Sequence, residues 1–294
     1  MAEIVKVYYK ASNGTEYPLQ MTRALPAPGC GVELERTIRI KSANFHNWNY
    51  EPETQVQALG VKALRFYKQP AAYQAQLYID GPIEDRKKII ERMHAAFERD
   101  IRALTPGRLY WRESYITCFI LASSTYPEPG SRVTVNDIEI WCPYPLWIRE
   151  RTKTFRKADD PAASAPFLDY TYNFLYDYTP DISATGTIEN DGTAAAPMKI
   201  IFHGPADYPK IIIGGNTYQV NVTLAEGETA EYDTLEKTVT VTNVDGISRN
   251  AFNMRGKTGK EFDPIPIGTI GVEWPGRYDV TVTVLQERSE PSWN

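Results

Sequence analysis

The sequence predicts a mainly β protein in two parts, with a single amphipathic helix in the first. Three observations carry this. Only Ile83 to Leu104, IEDRKKIIERMHAAFERDIRAL, keeps a helical period over several turns. Nearly everything else alternates with period two or is rich in Gly, Pro, Asn and Asp. The charge also divides unevenly: residues 1–155 hold 21 Lys and Arg against 17 Asp and Glu, a net +4, whereas residues 156–294 hold 11 against 20, a net −9.

In chain order, Val5 to Tyr9 reads as a strand turned by Ser12-Asn13-Gly14, and Tyr17 to Met21 as its return. Pro26 to Gly31 is a loop. Thr37 to Ile40 alternates, with Ile38 and Ile40 on one face. Ala43 to Gln57 is predicted irregular and aromatic, holding Phe45, Trp48 and Tyr50. Val61 to Tyr67 and Tyr73 to Ile79 are further strands, the second placing Tyr73, Ala75, Leu77 and Ile79 on one face.

In the helix, Ile90, Met93, Phe97, Ile101 and Leu104 recur at steps of three and four, giving one apolar stripe. The opposite face carries Arg86, Lys87, Glu91, Glu98, Arg99 and Arg102. Pro82 suits a helix start, where a missing N–H costs nothing, and Glu84 and Asp85 face the positive end of the dipole. Thr105-Pro106-Gly107 stops it. Arg108 to Trp111, Tyr115 to Ala122 and Val133 to Trp141 complete the first β unit, and Cys142-Pro143-Tyr144-Pro145-Leu146-Trp147 punctuates the chain.

Arg156 to Pro166, RKADDPAASAP, has the composition of a linker, which sets the expected domains at 1–155 and 167–294 with 156–166 between them. Phe167 to Tyr178 spaces Tyr170, Tyr172, Phe174, Tyr176 and Tyr178 by two, as a strand covering a sheet or an interface would. Met198 to Phe202, Lys210 to Ile213, Tyr218 to Leu224, Ala230 to Asp233, Thr238 to Thr242 and Tyr278 to Leu285 are short runs bounded by turn residues. Gly214-Gly215-Asn216 and Asp245-Gly246 are hairpin signals, because tight hairpins need positive φ. Val280, Val282 and Val284 alternate with Thr281 and Thr283. This spacing predicts a β-sandwich or jelly roll.

The chain's 42% hydrophobic and 23% charged residues suit an ordinary soluble globular protein. Its opening residues, MAEIVKVYYK, lack an apolar signal region. Cys30, Cys118 and Cys142 fit no zinc spacing and are expected to be structural thiols in a reducing compartment. His46, His94 and His203 are scattered, so no metal site, catalytic residue or cofactor is expected. Gly256-Lys257-Thr258 imitates the end of a phosphate loop, but Ala251 stands where its first glycine belongs. Carboxylates such as Asp159-Asp160 and Asp263 sit in turns, where solubility explains them. Trp274, Tyr278 and Tyr208 leave open an alternative reading, a carbohydrate-binding module for host-surface glycans.

The order of several motifs resembles a known family. Leu77-Tyr78-Ile79-Asp80-Gly81 leads into the helix, which ends in Leu104-Thr105-Pro106-Gly107-Arg108-Leu109-Tyr110-Trp111. Tyr115-Ile116-Thr117-Cys118 follows, and Ile138 to Trp147 closes the unit. This is similar to the N-terminal domain of the distal tail (Dit) proteins of long-tailed phages and prophages. The second half resembles that family's galectin-like β-sandwich. The matching residues are Thr187-Ile188-Glu189-Asn190-Asp191-Gly192 with Pro197, Gly227-Glu228, Tyr232-Asp233-Thr234, Val244-Asp245-Gly246 and Ile265-Pro266-Ile267-Gly268. The resemblance implies an N-terminal sandwich or barrel-like domain that forms a homo-hexameric ring, with the galectin-like domains outside. It implies a structural, non-enzymatic role at the virion tail tip, after assembly in the bacterial host cytoplasm. The implied partners are the major tail tube protein, the tail-associated hub or fibre protein and a receptor-binding protein. Tape measure or DNA would pass through the lumen without specific binding. A strongly basic lumen would hold DNA rather than pass it, and the net +4 of the first half is compatible with passage.

Overall fold

The computed structural model describes residues 6–20, 38–127, 132–157, 184–257 and 260–292. Among these the protein is mainly β, with one α-helix and one 3-10 turn. The chain divides into two compact units, one comprising residues 1–149 and 288–294 and the other residues 150–287. The division falls inside a continuous strand, Trp147–Phe155, where the sequence places it after residue 155. Residues 158–166 of the expected linker, the alternating rings of 167–178, Cys30 and the Pro26 to Gly31 loop lie outside the described residues.

The first unit contains β1 (Val7–Lys10), β2 (Glu16–Gln20), β3 (Ile38–Ala43), β4 (Glu51–Val56), β5 (Val61–Tyr67), β6 (Ala71–Asp80), α1 (Ile83–Arg102), β7 (Gly107–Trp111), β8 (Ser114–Pro127), β9 (Val133–Cys142) and the start of β10 (Trp147–Phe155). Strand β8 is shared between two sheets. Its first residues pair with β7, as in Leu109↔Ile116, and its later ones with β9, as in Phe119↔Trp141. A bulge between Ile120 and Ala122 lets the strand change direction between them. One sheet runs β2-β1-β7-β8 and the other β8-β9-β6-β3. Between them lies a core of Val7, Tyr9, Leu19, Leu77, Ile79, Leu109, Ile116, Ile140 and Trp147. The expected face of β6, Tyr73, Ala75, Leu77 and Ile79, is buried throughout.

Helix α1 adds Ile89, Met93, Ala96 and Phe97 to this core. The buried stripe is therefore rotated from the expected one: Ile90 and Ile101 are half-buried, and Leu104 is 83% exposed beyond the helix end. The residue that turns the stripe is Asp100, a carboxylate only 1% exposed, which periodicity reads as a surface residue. The helix closes with Leu104 N–H donating to Ile101 O and Thr105 N–H to Asp100 O, at 3.1 Å each. This is the left-handed helix stop usually built on glycine, here with Leu104 at φ 51°.

Two expectations in this unit are corrected. Ala43 to Gln57 is not wholly irregular, since Glu51–Val56 forms β4; Pro52 and the Glu/Gln content mask its alternation. Strand β10 was not expected; only Trp147, Ile148 and Phe155 are buried along it, so it lacks an apolar alternation.

The second unit contains the rest of β10, then β11 (Ala184–Asn190), β12 (Met198–His203), β13 (Ala206–Asp207), β14 (Lys210–Ile213), β15 (Asn216–Gln219), β16 (Thr223–Leu224), β17 (Thr229–Asp233), β18 (Thr238–Thr242), β19 (Ser248–Asn250), β20 (Gly268–Trp274) and β21 (Val280–Arg288). One sheet runs β19-β18-β17-β12-β21-β10 and the other β11-β20-β14-β15. Met198, Ile200, Phe202, Tyr232, Val280, Val282 and Val284 of the first meet Ile188, Ile211, Ile213, Ile270 and Val272 of the second in one core. This is a sandwich. The expected valine-in, threonine-out pattern of β21 holds. Gly214 and Gly215, at φ 58° and 83°, make the β14–β15 turn as expected. The expected strand Tyr218 to Leu224 is instead two short ones, β15 and β16, separated by the buried Val220 and Val222.

Candidate functional site

The feature of the first unit that its own fold leaves unexplained is the β4–β5 hairpin. It forms a two-stranded sheet that pairs with no other strand among the described residues. Residues 52–56 and all of β5 are exposed. An isolated two-stranded ribbon is marginal in water and needs a surface to lie on.

Its register makes it amphipathic. Pro52↔Phe66, Thr54↔Ala63 and Val56↔Val61 are cross-strand pairs, and such pairs share a face. Glu51↔Tyr67, Glu53↔Arg65 and Gln55↔Lys62 occupy the other. The bulge between Glu53 and Thr54 keeps both faces in phase across the ribbon. On the polar face Arg65 Nε donates to Glu53 Oε2, an exposed pair that contributes little to stability. The other face is apolar and open: Val56 is 81%, Val61 62% and Phe66 64% exposed, and Leu59 at the tip 95%.

The root of the hairpin is aromatic. Trp48 and Tyr50, both exposed, meet edge to face at 5.8 Å, and Lys68 Nζ lies 4.9 Å from the Tyr50 ring. Lys68 also donates to Pro145 O at 3.3 Å, and partial burial lowers its pKa. A cleft of about 290 Å³ runs between Trp48, Lys68, Tyr73 and Pro145. The apolar face and tip of the hairpin, Val56, Leu59, Val61 and Phe66, expose on the order of 500 Å² of large side chains. The largest patch on a monomer is usually about 300–600 Å².

Nothing comparable exists for catalysis among the described residues. His94 Nε2 lies 2.8 Å from Ser123 Oγ, and Ser123 Oγ donates to Asn136 Oδ1 at 2.7 Å. This chain of bonds ties α1 to β8 and β9. His46 packs against Trp111, and His203 Nε2 bonds Thr281 Oγ1 at 3.0 Å, so the three histidines do not converge. No group of three or more His, Cys, Asp or Glu could hold a metal ion among the described residues. Cys118 and Cys142 are buried free thiols, and burial pushes the Cys118 pKa well up, which makes it unreactive. Gly256 and Lys257 follow the 3-10 turn Phe252–Met254 rather than a strand, unlike a phosphate loop. Of the three candidate sugar-binding rings, Trp274 and Tyr278 are buried and Tyr208 is exposed.

No protein-family model matches the sequence, and no curated protein matches it. Solved structures do. The chain is similar to the Dit protein of phage SPP1, described as a paradigm of the hub adsorption apparatus in phages infecting Gram-positive bacteria. The identity is 10%, over 97% of this chain and 100% of that one, with a TM-score of 0.56. It is also similar to a chain of the phage P2 baseplate in its activated conformation with calcium, at 9% identity over 99% and 100% of the two chains and a TM-score of 0.63. The strontium form of that baseplate gives 8% identity, the same coverage and a TM-score of 0.60. Over essentially its whole length, this chain has the fold of a phage Dit hub protein and of a phage baseplate component.

Proposed function

We propose that this chain is a structural protein of a phage or prophage tail tip, a Dit-type subunit of a homo-hexameric ring that links the tail tube to the tail-associated hub or fibre protein. The observation that carries the reading is the open apolar face of β4–β5, in a chain whose full-length fold matches phage hub and baseplate proteins. A closed ring needs a heterologous contact, in which one patch of a subunit meets a different patch of the next. A projecting hairpin with one apolar face supplies the first of those patches. The mechanism is architectural and non-enzymatic. The ring stacks on the tube on one side and carries adhesion parts, including a receptor-binding protein, on the other. Its lumen passes tape measure or DNA, and the protein's place is the virion tail tip after assembly in the host cytoplasm. In this reading the second unit is a galectin-like domain on the outside of the ring.

Negative-stain images of the purified chain test this directly. Closed rings with six-fold symmetry are expected. Particles of single-subunit size at micromolar concentration would remove the basis for the reading.

A further inference from the structure

In the second unit, the short strands β13 and β16 and the segment 275–278 enclose a cleft of about 430 Å³. Its floor is apolar and fixed. Ala206, Leu224 and Tyr278 are buried, and Tyr278 Oη accepts from Lys210 N–H at 2.7 Å and donates to Lys210 O at 2.9 Å. Its rim carries Tyr208, Asp207, Lys210 and Arg277, all exposed.

Two features of that rim are not explained by folding. Tyr208 adopts φ 45° and is 58% exposed, so an aromatic ring stands in solvent on a backbone conformation that disfavours bulky side chains. Glycine or asparagine would hold the same turn with less strain, and strain of this kind accumulates at binding sites. The charge is also inverted. Residues 156–294 carry a net −9, yet the cleft presents two cations against one carboxylate. Neither Lys210 nor Arg277 forms an ion pair among the described residues.

We propose that this cleft binds an acidic saccharide, a sugar bearing a carboxylate or phosphate group. The Tyr208 ring takes the apolar face of the pyranose, Arg277 and Lys210 take the acid group, and Asp207 accepts from hydroxyls. An acid group is favoured because two cations line the cleft against one carboxylate, and charge-assisted hydrogen bonds are the stronger ones. A sugar is favoured because the exposed ring, the adjacent hydroxyl acceptor and the small apolar floor suit a pyranose with one hydrophobic face. This adds a binding activity to the second unit that does not depend on ring formation.

The test is saturation-transfer NMR and calorimetry on the full chain with three probes: an oligogalacturonate, a hexose phosphate and the neutral galactose oligomer. A nucleoside monophosphate serves as a decoy. Binding of one or both acidic sugars is expected, with at least about tenfold weaker binding of the neutral oligomer. Preference for the carboxylate or the phosphate identifies which acid group the site takes. Arg277→Gln should remove the acidic preference. Tyr208→Gly should abolish binding while raising the melting temperature, because it removes the ring and relieves the backbone together; this separates lost recognition from lost folding. No binding of either acidic sugar, equal binding of the neutral oligomer, or preference for the nucleotide would overturn the proposal.

Discussion

Tyr9 donates a 2.5 Å hydrogen bond from its hydroxyl to Oδ2 of Asp100, joining β1 to the last turn of α1. The same carboxylate accepts from Ser12 Oγ at 2.5 Å and from the Ser12 backbone N–H. Burial and the bond to Asp100 together raise the Tyr9 pKa far beyond its ordinary value. Gly107 makes the arrangement possible, because a methyl group there would collide with the Tyr9 phenol and the Lys10 carbonyl. Asp100→Ala leaves the buried Tyr9 hydroxyl without its acceptor, and should cost about 1–3 kcal/mol in urea unfolding. A change below about 0.5 kcal/mol would show that the network is not a structural anchor.

The helix stop makes an opposite prediction. Leu104 occupies the left-handed position at φ 51° with its side chain 83% exposed, so it gains little from burial and bears the backbone strain. Leu104→Gly should leave the protein unchanged or stabilise it by up to about 1 kcal/mol, read as a shift in thermal midpoint. A loss of stability would mean that Leu104 is covered in the assembled protein, and the same measurement at high dilution would then reverse the sign.

The segment 288–292 belongs to the first unit, where Ser289 bonds the Tyr50 hydroxyl at 3.2 Å and Glu290 lies 3.7 Å from His46 Nδ1. Burial lowers the His46 pKa below 6.5, and Glu290 opposes the shift without reversing it. Between the folded value and 6.5 the unfolded chain therefore binds more protons, so this contribution to stability is complete above 6.5 and falls as the solution is acidified. Glu290→Gln should lower the His46 pKa further in an NMR titration and steepen the loss of stability between neutral and mildly acidic pH. A rise in the His46 pKa in that variant would contradict the assignment.

How much of this was legible in the sequence depended on whether apolar residues marked the element. Strands β6 and β21 were readable because one face of each is buried and the other is wet, so the alternation is written in side-chain type. The helix was readable, but its buried face was misplaced, because a carboxylate satisfied by a tyrosine and a serine fills a core position. Strand β10 has threonines and charges along most of its length, with Thr152 and Thr154 bonded to Thr283 and Thr281 of β21, so backbone and polar pairing define it. The candidate assembly surface was half visible. The sequence shows Val61 to Tyr67 as a strand, but Pro52 and the acidic residues of the polar face hide its partner. Exposure of the apolar face is a property of the folded chain, which no local pattern could reveal.

If the apolar face of the β4–β5 hairpin holds subunits together, Phe66 is the residue on which to test it. Because Phe66 is 64% exposed and lies opposite Pro52 in a ribbon that packs on no other strand, Phe66→Asp should leave the fold intact. Mass photometry or light scattering of the wild-type and variant chains at matched concentration, with circular dichroism as a check on folding, gives the decision. A hexamer is expected for the wild type and a folded monomer for Phe66→Asp. A Phe66→Asp chain that assembles as the wild type does would contradict this.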